Sequence, residues 1–440
     1  MKIVIAGAGK VGFELARFLS AEHEITVIDQ NAEALERLGE LIDIYPVVGN
    51  IENPQTYRSL LDSQVDIFIA VTDSDEANIL STFLANDSTQ IARRIIRLRN
   101  SYFEHSTFLA ELGDLERVFP FRLAAETVRL LLTYPGANNV KQFSGTDVKL
   151  ISVQVDNPLH EEKTVAAFEK ERLKIVGVER DRQYRIPTPE MVIRHGDRIY
   201  FLGSGNVLEA LYGQLDLHMP PRIETAVVFG ADVLGLEVVG VLLDEGVEVK
   251  IVEKDIERCR AASDRFQERV LVINSHYDET ILYTEERLDQ ADMIITTDRK
   301  DEINIIRALQ AQEYNIPKVV TINNERKYYA LMHQLGMVVA RGPRMSAFYA
   351  ILESIAHQET IENRHFCGGA GVVFSRKIDP DSPLEDRKLP AWKHEGVVLV
   401  DRDGVLLSPN KEARLKPGDH LFLVASTQHE KQGFKWMNLQ

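Results

Sequence analysis

Apolar and polar positions in the first thirty residues form two short blocks flanking one amphipathic stretch. Ile3-Val4-Ile5-Ala6 is a continuous apolar run, Val11, Leu15, Phe18 and Leu19 recur at helical spacing, and a second strand-like run ends in Asp29. Unbroken apolar runs fit strands buried on both faces, and the 3.6-residue recurrence fits a helix packed on them. The same order returns at an offset of about 223 to 226 residues: the segment from Ile3 matches that from Ala226, the strand ending at Asp29 matches that ending at Glu253, and Val65–Leu80 matches Ala291–Ile306. Such alternation predicts parallel sheets with helices on both faces.

A second repeat follows each of these units. Arg180, Pro187, Gly196 and Asp197 recur as Arg402, Pro409, Gly418 and Asp419, each 222 positions later. The fold class expected is therefore α/β, with two Rossmann-like doubly wound parallel sheets, each followed by a small α+β domain of roughly 70 residues. The expected boundaries are 1–120 for the first nucleotide-type fold, 121–137 for a connecting helix and 138–217 for the first small domain. In the second half they are 222–341, 342–362 and 363–440. The first connecting helix runs from Phe121 to Leu132 and stops at Tyr134-Pro135-Gly136-Ala137, where Pro and Gly break helices. Its apolar residues cover more than one face, which fits burial inside the chain or exchange with a partner chain.

Composition narrows the function classes. The 440 residues carry a formal charge of −16 with no basic patch, which argues against nucleic acid as a partner. Cys259 and Cys367 imply no disulfide framework, and the 12 histidines show no metal-ligand spacing. The most apolar stretch, Ala226–Leu243, is broken by Asp232 and Glu237, so no membrane insertion is expected. The opening strand-like run leads to no expected signal peptide. No GxSxG, Walker or Cys–His arrangement appears, and no catalytic pair is expected.

The chemistry concentrates in Gly7-Ala8-Gly9-Lys10-Val11-Gly12, a GxGxxG pattern between a strand and a helix. Gly7 permits the tight turn, Gly9 lets backbone approach a pyrophosphate, and Gly12 lets the helix lie close to the sheet. The helix N-terminus then offers free N–H groups to phosphate. Asp29 stands at the distance of a ribose-binding acid and disfavours a 2′-phosphate. Asn50 closes the third strand, as a base contact or a turn residue. Thr72 and Asp73 follow a strand and open a helix, a place for a cap and for a ligand contact alike. Arg97 and Arg99 alternate along an expected strand and share a face, free to meet a phosphate or a surface acid. In the second half Gly230, Gly235 and Glu253 repeat the pattern, but Asp232 replaces the middle glycine and puts a carboxylate where a pyrophosphate would approach. The two arginines fall near Asn323 and Glu325. This half is expected to bind an adenosine-type ligand weakly or not at all.

Taken in order, Gly7–Gly12 with Asp29, Thr72-Asp73-Ser74-Asp75-Glu76, Asn78, Arg97, Tyr134-Pro135-Gly136-Ala137 and the duplicated small domains resemble the TrkA family of tandem RCK proteins over the whole chain. The resemblance implies a nucleotide-sensing regulator of a Trk-type potassium transporter, binding NAD or NADH and also ATP or ADP. It implies a homo-oligomer, a tetramer, held in the cytoplasm against the inner face of the cell membrane by its transporter partner. The nucleotide contacts it carries over are Gly7 through Val11, Asp29, Thr72, Asp73 and Arg97. Two other readings fit the glycine pattern: an NAD-dependent dehydrogenase, and a nucleotide-dependent scaffold for another partner.

Overall fold

The computed structural model describes the chain except residues 22, 61–63, 111–112, 114, 156, 158–161, 205–206, 209–221, 277–280, 356–360, 381, 383, 410–413 and 439–440. The expected domain boundary at 217 lies outside the described residues, as does part of the expected 342–362 connecting helix. Contacts divide the chain into two compact units, Met1–Ala125 with Arg341–Ile355, and Glu126–Ala340 with Ala356–Gln440.

The first unit is built on a six-stranded parallel sheet: β1 (Lys2–Ala6), β2 (Glu24–Asp29), β3 (Tyr45–Val48), β4 (Val65–Ala70), β5 (Ile91–Arg97) and β6 (Leu115–Val118), in the order β3-β2-β1-β4-β5-β6. β1 sits at the centre because its side chains are apolar on both faces; Ile3, Val4 and Ile5 are wholly buried. The helix Lys10–Leu19 lays Val11, Leu15 and Leu19 on one face of the sheet. The helix Pro343–Ile355 joins the same core through Ala347, Ile351 and Ile355, although it comes from far along the chain. Phe18 and Phe348 meet edge to face at 6.0 Å, and Arg93 Nη2 donates to the Ser354 carbonyl at 2.9 Å. The second connecting helix therefore covers the first nucleotide-type fold.

The second unit holds three sheets. β7 (Asn139–Gln142), β8 (Val148–Gln154), β9 (Leu173–Arg180), β10 (Gln183–Arg185) and β11 (Arg198–Ser204) form an antiparallel sheet ordered β10-β9-β11-β8-β7. Next comes a second six-stranded sheet, ordered β14-β13-β12-β15-β16-β17. Its strands are β12 (Thr225–Phe229), β13 (Glu248–Glu253), β14 (Val270–Asn274), β15 (Met293–Thr296), β16 (Lys318–Asn323) and β17 (Val338–Arg341). The last sheet, ordered β18-β19-β22-β20-β21, has β18 (Glu362–Phe366), β19 (Gly371–Lys377), β20 (Gly396–Arg402), β21 (Val405–Leu407) and β22 (His420–Ser426). Both nucleotide-type sheets share one order, and so do both small sheets.

The duplicated polar residues of the small domains form matching forks. Arg180 grips Asp197 with Nε and Nη2 at 2.8 and 2.7 Å, and Arg402 grips Asp419 at 2.7 and 2.6 Å. Both aspartates are buried, so the planar, two-pronged pairing with arginine satisfies a charge that burial would otherwise penalise. The two small sheets share a core in which Phe143 meets Phe422 and Tyr200 meets Phe366.

The first connecting helix spans Pro120–Thr133. Its C-terminal half is packed inside its own chain, against the second nucleotide-type fold. Leu131 is buried, Arg129 pairs with Glu245 and lies 3.6 Å from Asp244, and the wholly buried Lys318 at the start of β16 points Nζ at four carbonyls. These are Leu131 O at 3.2 Å, Tyr134 O at 3.4 Å, Pro135 O at 2.6 Å and Ala137 O at 3.0 Å. A lysine there satisfies carbonyls left over at the helix end and opposes the negative end of its dipole.

Candidate functional site

In the first nucleotide-type fold the strand order reverses between β1 and β4, and their carboxyl ends frame the crevice in which open α/β sheets take ligands. Gly7 leaves β1 at φ +114°, a conformation that side chains rarely adopt, and its N–H donates to Ile28 O at 2.8 Å. A Cβ on Gly12 would lie 1.8 Å from the Gly7 carbonyl, so the helix can approach the turn only without a side chain there. Gly9 differs from both: it caps the helix without a side-chain bond, and a Cβ on it would meet nothing within 4 Å. The first helical turn, which includes Lys10 and Val11, contains no acid. Its N–H groups and the positive end of the helix dipole therefore face the crevice without a protein carboxylate.

Asp29 is fixed beside this turn. Its Oδ2 accepts from Ala8 N at 2.6 Å and its Oδ1 from Asn31 N at 2.8 Å, which leaves each oxygen a further lone pair for a hydroxyl. Asn50 is exposed at the end of β3, and its Oδ1 accepts from Glu52 N at 2.8 Å, a turn role. Across the crevice, Thr72 N and Oγ1 both donate to Asn78 Oδ1, at 2.8 and 2.7 Å. The Asn78 amide nitrogen donates to Thr72 O and Arg97 O at 3.0 and 2.9 Å. Asn78 thus bolts the loop after β4 to the end of β5. Ser74 supplies the helix cap, accepting from Ala77 N at 3.1 Å.

The two arginines part company. β5 ends at Arg97, whose side chain is 5% exposed; its Nη1 donates to Thr72 O at 3.0 Å and to Asp73 Oδ1 at 2.9 Å, and its Nε is buried without a hydrogen-bond partner. Arg99 lies beyond the strand, donates to Asp73 O at 3.0 Å and stands over the Phe121 ring. Both converge on the Thr72–Asp73 loop from different directions instead of sharing a strand face. Partial burial works against the Asp73 charge, but the hydrogen bond and attraction of Arg97, with Arg99 and Arg344, hold its carboxyl below the usual range.

The second fold repeats the scaffold and fills the opening. Gly230 again takes φ +113°, and a Cβ on Gly235 would lie 2.0 Å from Gly230 O. Asp232, in place of Gly9, caps the helix Val233–Asp244: its Oδ1 accepts from Leu234 N and Gly235 N at 3.1 and 3.2 Å. Arg299 Nε donates to Asp232 Oδ2 at 3.2 Å. Glu253 is 1% exposed, accepting from Ala231 N at 2.8 Å and Asp255 N at 3.0 Å. Asn304 corresponds to Asn78, since it accepts from Asp298 N and donates to Ile322 O. This bonding pairs Arg97 with Ile322, one residue before the Asn323 expected from sequence spacing, and Arg99 with Asn324, through the matching acids Asp75 and Asp301. Arg299 consequently stands where Asp73 stands in the first half. Sequence reasoning missed it; the signal was a basic residue facing an acid that had replaced a glycine.

The model of the TrkA-N domain matches residues 3–114 and 226–341, and that of the TrkA-C domain matches 149–216. The chain belongs to the TrkA family. It is 29% identical over 434 residues to a Trk system potassium uptake protein TrkA homolog of Archaeoglobus fulgidus, covering 97% of each chain. It is 25% identical over 442 residues to Trk system potassium uptake protein TrkA of Halomonas elongata, covering 96% of this chain and 95% of that one. Among solved structures, the GsuK channel aligns over 100% of this chain and 79% of its own at a TM-score of 0.61 and 18% identity. The GsuK channel bound to NAD aligns over the same shares at a TM-score of 0.58 and 18% identity. These likenesses agree in fold with the paired sheets described above. Among the described residues no helix is long and apolar enough to cross a membrane.

Proposed function

We propose that this chain is the nucleotide-sensing regulatory subunit of a Trk-type potassium uptake system. The observation that carries the proposal is the uncapped helix at Gly9 beside Asp29, in a chain that belongs to the TrkA family. The pyrophosphate of NAD, NADH, ATP or ADP lies along Gly7, Ala8, Gly9, Lys10 and Val11, close to Gly12, with a ribose on Asp29. Thr72 and Asp73, held by Arg97, line the opposite wall, and Asn50 stands at the base edge. A structural relative, the GsuK channel, has been solved with NAD and with ADP, which supports this ligand class. Gly230, Gly235 and Glu253 keep the shape of a second site, but Asp232 occupies its phosphate position. The chain acts without catalysis of its own, as a homo-oligomer, a tetramer in the simplest form, docked on the cytoplasmic face of its transporter. Calorimetry with NADH and ATP tests the ligand assignment: about one nucleotide per chain is expected, and no binding of either would overturn it.

A further inference from the structure

Away from the glycine turns, the second unit brings three ligand-type side chains together from distant parts of the chain. Glu179 lies on β9, His333 in the helix Tyr329–Gln334 of the second nucleotide-type fold, and Cys367 in the turn after β18. One donor atom from each lies within 4.8 Å of the other two, and His333 Nε2 is 3.0 Å from Glu179 Oε2. The thiol faces inward from a tight backbone: Cys367, Gly368 and Gly369 take φ of 51°, 62° and 95° in succession. For a residue other than glycine that conformation is costly and calls for a reason.

Beside the cluster is a small cavity whose lining mixes polar Asn138, Asn139, Ser152 and Arg198 with apolar Met337 and Val339. Asn138 Oδ1, Asn139 Oδ1, Ser152 Oγ and Arg198 Nε are buried there without hydrogen-bond partners, and Ser152 itself is 2% exposed. In the duplicate module the counterparts of Ser152 and Arg198 bond each other, although Asp401 Oδ1 and His420 Nδ1 are buried without partners there too. Strand register pairs Glu179 with Arg198 and Ser152 with Tyr200, and likewise Asp401 with His420 and Ser375 with Phe422. In that copy Ser375 Oγ bonds His420 Nε2 at 2.6 Å, and Thr146 Oγ1 donates to Asp401 at 2.9 Å with no thiol present. Among the described residues, a thiol, an imidazole and a carboxylate come together only here, beside unmet polar groups.

We propose that Glu179, His333 and Cys367 bind a single divalent cation of the zinc class, with a water in the adjoining cavity as the fourth ligand. One sulfur, one nitrogen and one oxygen donor suit a borderline-soft ion in tetrahedral geometry and are poorly suited to calcium or magnesium. The water's remaining hydrogen bonds go to Asn138, Asn139 and Ser152. Arg198 Nη1, 3.6 Å from Glu179 and 3.4 Å from the His333 ring nitrogens, balances the carboxylate, a role that a bound ion would share. The Cys367 thiol releases its proton to solvent as the sulfur–metal bond forms. The ion would cross-brace both small domains and the second nucleotide-type fold, independently of the Gly7–Gly12 turn.

The test is cobalt titration of the full chain after chelator treatment, read by near-ultraviolet thiolate-to-cobalt absorption. One cobalt per chain with such a band, displaced by zinc, is expected. Cys259→Ser should keep the band, because it leaves Cys367 as the sole thiol. Cys367→Ser should lose it, and Glu179→Gln or His333→Gln should weaken cobalt at least tenfold. Zinc should also raise the unfolding temperature of the wild type and of Cys259→Ser. A wild type without the band, a band surviving in Cys367→Ser, or a band lost in folded Cys259→Ser would overturn the site and leave the cavity to an ordinary buried water.

Discussion

The Asp232 carboxylate accepts a hydrogen bond from Gly235 N, three residues along, at the place where Gly9 leaves the equivalent amide of Gly12 without a side-chain acceptor. One side-chain difference thus separates a helix end that can take a phosphate from one that already holds an anion. Asp232→Gly should open the second turn at small cost, since glycine is only a few tenths of a kcal/mol worse than aspartate as a cap. The expected result by calorimetry is a rise from about one nucleotide per chain toward two. A stoichiometry unchanged in folded Asp232→Gly would mean that Arg299 and Glu253 also block the site.

Gly9 and Gly12 should respond oppositely to a side chain. Gly9→Val places its Cβ in open space, so the protein should fold normally and lose NADH and ATP affinity by more than tenfold, about 1.4 kcal/mol. Asp29→Ala should weaken binding similarly through the ribose. Gly12→Val meets the Gly7 carbonyl and should lower the unfolding temperature itself. Parallel calorimetry and thermal melts separate the two, and unchanged affinity in both Gly9→Val and Asp29→Ala would remove the site assignment.

Lys318 offers a test of the helix end it holds. Lys318→Met keeps most of the side-chain volume and removes the donors to Leu131, Tyr134, Pro135 and Ala137. Four buried carbonyls then each lose a partner, with an expected cost on the order of 2 kcal/mol. Leu131→Asp should destabilise the same region through a buried charge. Circular-dichroism melts should show both effects, while nucleotide binding at the Gly7–Gly12 turn persists. A Lys318→Met protein as stable as the wild type would show that water replaces the ammonium.

His420 gives the last small domain an acid-sensitive core. Burial, helped by Lys377 and opposed by Asp379, lowers its pKa from an ordinary 6.5 to about 4. The folded form keeps it neutral, whereas the unfolded chain takes up a proton below pH 6.5. Its contribution is therefore present above pH 6.5 and is lost as pH falls toward 4. Between pH 7 and 5 the loss is about 2 kcal/mol. Both tryptophans, Trp392 and Trp436, are partly buried against this domain's core, so fluorescence reports its unfolding. Denaturation followed this way at pH 7 and 5 should show a smaller drop in His420→Gln than in the wild type; equal drops would contradict the assignment.

Much of this was legible in the sequence because it rests on local rules. The strand–glycine–helix order, the acid that ends β2 and the recurrence of Arg180 and Asp197 as Arg402 and Asp419 each follow from spacing along the chain. The pairing of helices with sheets was not legible. Helix Pro343–Ile355 packs on the first sheet and residues after Glu126 pack on the second, and periodicity marks an apolar face without naming its partner. Spacing also set the register of Arg97 one residue off, because a single-residue difference between the halves shows only in the Asn78 and Asn304 bonds. Glu179, His333 and Cys367 could not be grouped from sequence, since their proximity depends on how three modules assemble.

Regulation requires that nucleotide bind two arrangements of the protein with different affinity, since equal binding shifts nothing. The most direct measurement is potassium flux into vesicles carrying a Trk-type transporter, with this chain on the cytoplasmic side and NADH or ATP supplied in turn. The account predicts flux that depends on the chain, changes with the nucleotide, and loses that nucleotide response in Gly9→Val. Flux that ignores the chain, or a Gly9→Val protein that responds to nucleotide as the wild type does, would contradict it.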